Sequence, residues 1–138
     1  MIRIGNSEDI FRDAAALRKQ VFMEEQGFEH EFDGIDEKSI HAVLYLVGEP
    51  VATGRAYINE QGDYTIGRVA VKKQHRGQGL GEQIMRALEE EIKGRGGKSV
   101  QLSAQLSAKG FYEKQGYQAV GEEYLDEFCP HIKMVKQL

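Results

Sequence analysis

A mixed α/β sheet with helices on its faces is the fold class this sequence predicts, and three observations predict it. Three consecutive β-type segments between His41 and Val71 are joined only by tight turns, so they form an antiparallel meander. Amphipathic helical segments stand on either side of that meander, after Ser7 and after Gly81. Further strands lie towards the C-terminus, at Ser99–Ser103, Tyr117–Tyr124 and Ile132–Val135. The order is not a regular alternation of strand and helix, which argues against a Rossmann domain.

Taken in order, residues 1–5 (MIRIG) read as a short strand. Ser7 suits a helix N-cap, and Glu8 and Asp9 follow in the first turn, where carboxylates meet the positive end of the helix dipole. Ile10, Ala14, Leu17 and Val21 recur at helical spacing, and the helix ends near Gly27. Residues 28–40 are polar and irregular and read as a loop. His41–Val47 and Val51–Asn59 are strands, with Gly48-Glu49 as a two-residue hairpin turn. Gln61-Gly62-Asp63 turns the chain into Tyr64–Val71. Ile84, Met85, Leu88 and Ile92 mark the buried face of the next helix, stopped by Gly94, Gly96 and Gly97. Ala108–Gln115 is a helix, with Gly116 as its C-terminal cap.

Composition narrows the function. The chain has 138 residues, 41% of them hydrophobic and 29% charged, the balance of one soluble globular domain spanning residues 1–138. No run of eighteen apolar residues and no apolar leader is present, so neither a membrane partner nor a signal peptide is expected. The lone Cys129 excludes an internal disulfide, and cytoplasmic residence follows as the default. A net charge of −4 makes nucleic acid a poor partner. One stretch departs from this balance. Arg68–Arg76, RVAVKKQHR, carries four basic residues and no acid, which suits either a bound anion or a solvated strand end.

That stretch leads into His75-Arg76-Gly77-Gln78-Gly79-Leu80-Gly81, a Gly-rich loop between a strand and an amphipathic helix. Backbone N–H groups of such a loop, with the unsatisfied donors of the helix N-terminus, make an anion cradle. Glycine lets phosphate oxygens reach the backbone, and Arg76 adds a charge-assisted contact. The spacing excludes two common nucleotide motifs. The Walker pattern needs Lys-Ser/Thr where Glu82-Gln83 follow Gly81, and the dinucleotide fingerprint needs Gly at position 82, which is Glu. A loop tightened only for packing is the bland alternative.

Arg76–Gly81 matches in full the pyrophosphate motif Arg/Gln-x-x-Gly-x-Gly/Ala of the GNAT superfamily of N-acetyltransferases, and here the sequence resembles that family. Val69-Ala70-Val71 is similar to the family's entering strand, with Lys73 in a frequent proline slot. Ala108–Tyr117, AKGFYEKQGY, resembles the family's Ala-x-x-x-Tyr-Glu-Lys-x-Gly-Phe segment. The resemblance covers nearly the whole chain and looks nearest to small bacterial members of unassigned substrate, which share a Val-Phe-x-x-Glu-Gln segment like Val21–Gln26 and a Pro-His like Pro130-His131.

The resemblance implies a mostly antiparallel central sheet flanked by helices, and transfer of acetyl from acetyl-CoA directly to a primary amine of a small molecule or protein. It implies pyrophosphate binding by Arg76, Gly77, Gln78, Gly79, Leu80 and Gly81, and pairing of the pantetheine arm with Val69 and Val71. It implies an oxyanion-hole role for the Val69 amide. Gln105 stands where the family has a cofactor-binding Asn, and Tyr112 where it has the tyrosine that protonates the leaving thiolate. Outside that context Tyr112 reads as a core aromatic beside Phe111 and Tyr117.

No metal site is expected. For the general base, Glu25, His41, Glu123, Asp126 and His131 remain open, with Glu25 and His131 taken as the substrate-site candidates. Cys129 lacks the flanking pattern of a nucleophile. Acyl transfer competes with a silent acyl-CoA sensor or interaction module, and a homodimer is left open. A retained Tyr112 favours the enzyme, because binding alone needs no proton donor.

Overall fold

The computed structural model describes all 138 residues. Seven strands form one sheet in the order β1-β2-β3-β4-β5-β7-β6. They are β1 (Ile2–Gly5), β2 (Ile40–Leu46), β3 (Glu49–Ile58), β4 (Tyr64–Val71), β5 (Ser99–Gln105), β6 (Gln118–Asp126) and β7 (Cys129–Gln137). Every neighbouring pair is antiparallel except β4 and β5. Helix α1 (Glu8–Arg18) runs on into a π-helical turn (Lys19–Glu25), α2 covers Leu80–Gly94, and α3 covers Lys109–Glu113.

The run Ile40-His-Ala-Val-Leu-Tyr-Leu46 lacks polar alternation because β2 is buried on both faces. Val43 and Tyr45 meet Ile10, Ala14 and Leu17 of α1. Ala42 and Leu44 join the main core with Ile84, Met85, Leu88 and Ile92 of α2. Each of these large α2 side chains, removed almost wholly from water, contributes about 1.5–3 kcal/mol of transfer free energy. Gly54 lets α2 approach β3, since a Cβ there would stand 2.8 Å from Ile84 Cγ2.

Several boundaries differ from the sequence expectation for local reasons. The β2–β3 turn is centred on Val47 and Gly48, with φ of 50° and 75°, rather than on Gly48-Glu49. Glu49 instead pairs with Leu46, and two positive φ values are what a type I′ hairpin requires. Ser7 occupies the N-cap position, but its hydroxyl donates to Asp9 Oδ1 at 2.6 Å and makes no backbone cap. β7 begins at Cys129, so Pro130 and His131 are strand residues and not a loop before the final strand. Gly116 does terminate α3, at φ 96°, with its N–H on Glu113 O and the Tyr117 N–H on Tyr112 O.

Candidate active site

The site begins as a failure of strand pairing. β4 and β5 pair only at Thr65 and Gln101. Just beyond, β4 bulges against β3: Arg55 faces Gly67, whereas Thr53 faces Ala70. Arg68 takes φ 53°, the left-handed conformation that absorbs an extra strand residue. β4 stays on β3 through Val71 while β5 follows β7 to the Gln105–His131 pair. The gap between the diverging strands is a cleft of about 510 Å³, lined by Val69 and Arg68 on one wall and Ser103 and Gln105 on the other.

At one end of the cleft lies the Gly-rich loop. Gly77 and Gly79 have φ of 79° and 77°, and a Cβ on either would touch nothing within 4 Å. Their requirement is therefore conformational. Gly81 differs, because a Cβ there would stand 3.1 Å from Phe111 Cζ, so this glycine seats α2 against α3. The backbone N–H groups from Gly77 to Glu82 have no acceptor within the protein. These six donors run into the α2 N-terminus, where the helix dipole adds positive potential.

The basic approach to that loop is largely neutralised within the protein. The Arg76 guanidinium grips Glu25 bidentately at 2.6 and 2.7 Å and donates from Nε to Val71 O at 3.0 Å. Lys72 pairs with Glu49, and Arg68 with Glu31 and Asp33. Only Lys73 of the four lacks an acidic partner within ion-pair distance.

Tyr112 lines the cleft, with its ring edge-on to Phe111 and Tyr117. Its hydroxyl has no partner within the protein, and burial pushes the phenol up to about 12. Tyr117 is the core aromatic of the pair. It is 2% exposed and donates to Glu89 at 2.7 Å, and burial, then that hydrogen bond, raises its phenol far above the ordinary range. Gln105 donates to Gln26 Oε1 at 2.9 Å, tying the end of β5 to the segment after the π-helical turn.

The other end of the cleft is built from the 28–36 loop and the β6–β7 hairpin. Glu127, at the hairpin tip, accepts the N–H groups of Glu29 and His30, both at 3.1 Å, and Phe128 stacks on Phe28. Beneath the loop lies a buried ion network. Arg18, 1% exposed, donates to Glu31 Oε2 at 2.8 Å and to both oxygens of Asp36 at 2.7 and 3.1 Å. Arg55 bridges Asp33 and Asp36, each at 2.8 Å, and Arg68 reaches Glu31 Oε2 at 2.9 Å. Burial raises Asp36, but the hydrogen bonds from Arg18 and Arg55 outweigh it and hold the carboxyl below its ordinary value. Burial prevails at Glu31, whose carboxyl is raised despite Arg68 and Arg18.

His131 is buried, stacked against Tyr124, and lines the cleft. Its Nδ1 faces Cys129 O at 2.9 Å. A carbonyl can only accept, so Nδ1 carries the proton and the neutral ring keeps its lone pair on Nε2. Cys129 is pushed upward by burial and by Asp126, away from thiolate character.

A family model described as an acetyltransferase (GNAT) domain matches residues 8–138. The chain belongs to the GNAT acetyltransferase family. Among its relatives is the uncharacterized N-acetyltransferase YjcF of Bacillus subtilis, 38% identical over 136 residues, which cover 96% of either chain. Two solved structures share the fold along their length. Escherichia coli ElaA is 30% identical with a TM-score of 0.86, covering 99% of both chains. An acyl-CoA N-acyltransferase from Pseudomonas aeruginosa is 31% identical with a TM-score of 0.86, covering 99% of this chain and 98% of that one. The protein is thus an acyl-CoA-dependent acyltransferase with the small bacterial GNAT architecture, and acetyl-CoA is the family's co-substrate. No helix is long and apolar enough to cross a membrane.

Of the GNAT residues expected from sequence, Val69, Arg76, Gln105, Tyr112 and His131 line the cleft, as does Asp126. Gly77, Gln78, Gly79, Leu80 and Gly81 form the loop beside it. Val71 packs against the core, and its carbonyl is taken by Arg76. Glu25 is the counter-ion of Arg76 and does not line the cleft. His41 lies in the ion network with Nε2 on Asp36 O, and Glu123 is exposed on β6. Sequence reasoning missed Gln26, Glu31, Arg68 and Ser103, all of which line the cleft. One signal was on offer: the six acids from Glu24 to Asp36 have no bases among them beyond His30, so they need partners from elsewhere in the chain.

Proposed function

We propose that the chain is an N-acetyltransferase that moves acetyl from acetyl-CoA directly to a primary amine. The observation that carries this reading is the coincidence of six acceptor-free amides at Gly77–Glu82 beside a cleft that holds a splayed β4–β5 edge and a free tyrosine hydroxyl. The loop amides take the pyrophosphate, and the pantetheine lies along the free edge of β4. There the Val69 amide donates to the thioester oxygen and stabilises the charge that builds on it.

The amine nitrogen attacks the thioester carbon, the C–S bond breaks, and sulfur leaves with the bonding pair. The nitrogen's surplus proton passes to Nε2 of His131. Tyr112 faces the departing sulfur. With the phenol at about 12 and an ordinary thiol near ~8.5, complete transfer from tyrosine alone costs roughly 5 kcal/mol. Tyr112 therefore acts first as a hydrogen-bond donor to sulfur and then gives it the proton, and the amine's proton, held on His131, returns through solvent to restore the phenol.

Following thiol release from acetyl-CoA across a panel of alkylamines, polyamines, amino acids and peptides, with mass detection of the acetylated product, tests the reading. Acetyl-CoA with at least one amine should give stoichiometric thiol and N-acetyl product. Acetyl transfer confined to alcohols, or a stable acetyl-enzyme, would overturn it.

A further inference from the structure

Resting on the proposed acetyl transfer to an amine, we infer that the acceptor is an amine with a second positive centre and no carboxylate, whose reacting nitrogen docks on Glu31 Oε1. Glu31 is 4% exposed yet lines the cleft. Its two oxygens have different fates. Oε2 is committed to Arg18 Nε at 2.8 Å and Arg68 Nε at 2.9 Å. Oε1 has no hydrogen-bond partner within the protein. A carboxylate held on one side by two guanidiniums and free on the other cannot swing away, so it presents a fixed acceptor to a cation.

The remaining charges of the cleft decide what can accompany that cation. Arg68 already faces Glu31 and Asp33, and Arg76 faces Glu25. Glu127 is used by two backbone N–H groups. Asp126, exposed and lining the same cleft, forms no ion pair, whereas no arginine or lysine of the lining is without a carboxylate. The cleft therefore offers an unfilled carboxylate acceptor at Glu31 Oε1 and negative charge without a counter-ion at Asp126, beside Glu127. Asp126 adjoins Glu127, whose contacts to Glu29 and His30 hold the hairpin tip beside the segment that carries Glu31. A molecule with positive charge at both points is favoured, and one that brings a carboxylate meets repulsion without a free arginine to receive it.

Three probes of equal chain length separate the cases: 1,5-diaminopentane, pentylamine and 5-aminopentanoate. Calorimetry on the CoA-loaded protein reads their binding whether or not turnover occurs, and thiol release from acetyl-CoA reads kcat/KM. The diamine should bind best and the amino acid worst, with about two- to fivefold between neighbours at low salt and less as salt rises. Glu31→Gln should weaken all amine binding about tenfold or more while leaving CoA affinity in place. Asp126→Asn should bring the diamine-to-pentylamine ratio towards one, and this exposed change decides the matter if Glu31→Gln does not fold. Equal or better binding of 5-aminopentanoate, or amine affinity unchanged in both variants, overturns the inference. Diamine binding in the predicted order without any turnover would instead overturn the acetyl-transfer reading and leave the docking site standing.

Discussion

The two ends of the cleft are made of different materials. The loop end is backbone: six amides of the Gly77–Glu82 segment, contiguous in sequence and shaped by two glycines with positive φ. The other end is side chain: Arg18, Glu31, Asp33, Asp36, Arg55 and Arg68, gathered from α1, a loop, β3 and β4. A backbone cradle needs little beyond local conformation to exist. A buried ion network exists only when distant elements are already packed, and each member then depends on the others.

Two arginines break this comparison open. Arg18 is 1% exposed and holds Glu31 and Asp36, so Arg18→Met leaves two buried carboxylates short of a partner. We expect about 3–5 kcal/mol of lost stability by denaturant titration. Arg76 makes an equally good-looking pair with Glu25, but both side chains are about a third exposed. Arg76→Ala should cost under about 1 kcal/mol. Equal losses in the two variants would show that the ends are not built on different principles.

The next effect belongs to the loop end. Gly79 has φ 77° and open space where a Cβ would be, so Gly79→Val pays in backbone strain rather than collision. Left-handed backbone costs a non-glycine residue about 1–2 kcal/mol, and β-branching makes it worse. A shifted loop misplaces several amides at once. CoA affinity by calorimetry should fall about tenfold or more, with circular dichroism unchanged. Unaltered affinity in a folded variant would remove the loop from the cofactor site.

The smallest effect is that of salt on CoA affinity. The run Arg68–Arg76 promised a basic patch, but three of its four cations are paired inside the protein. Close backbone contacts then dominate, and exposed charge contributes only what Lys73 and the partly screened pairs supply. Affinity should drop by less than about tenfold from low to physiological salt. A steeper loss would mean that the cofactor displaces Glu25 or Glu49 from their partners.

What could be read from the sequence follows the same division. The strand entering the loop, the glycines, Tyr112 and Gly116 are short-range patterns, and the structure places them as their spacing implied. The 28–36 segment looked like an irregular polar loop because its meaning lies in Arg18, Arg55 and Arg68, none of which is near in sequence to more than part of it. Glu25 became a substrate-site candidate through the resemblance of Val21–Gln26, and nothing local reveals that Arg76, fifty-one positions away, takes both its oxygens. The last strand was expected from Ile132, whereas β7 begins at Cys129 and Pro130 pairs with Leu125 within the β6–β7 hairpin.

Tyr112 lines the cleft, and its hydroxyl has no partner within the protein. Tyr112→Phe keeps the ring against Phe111 and Tyr117 and removes only the donor. With an accepted amine identified, kcat for acetyl transfer should fall by roughly 10²–10⁴-fold while CoA affinity and melting temperature stay near those of the parent. Undiminished kcat in that variant would contradict the mechanism, and lost CoA binding with lost stability would make Tyr112 a packing residue of α3.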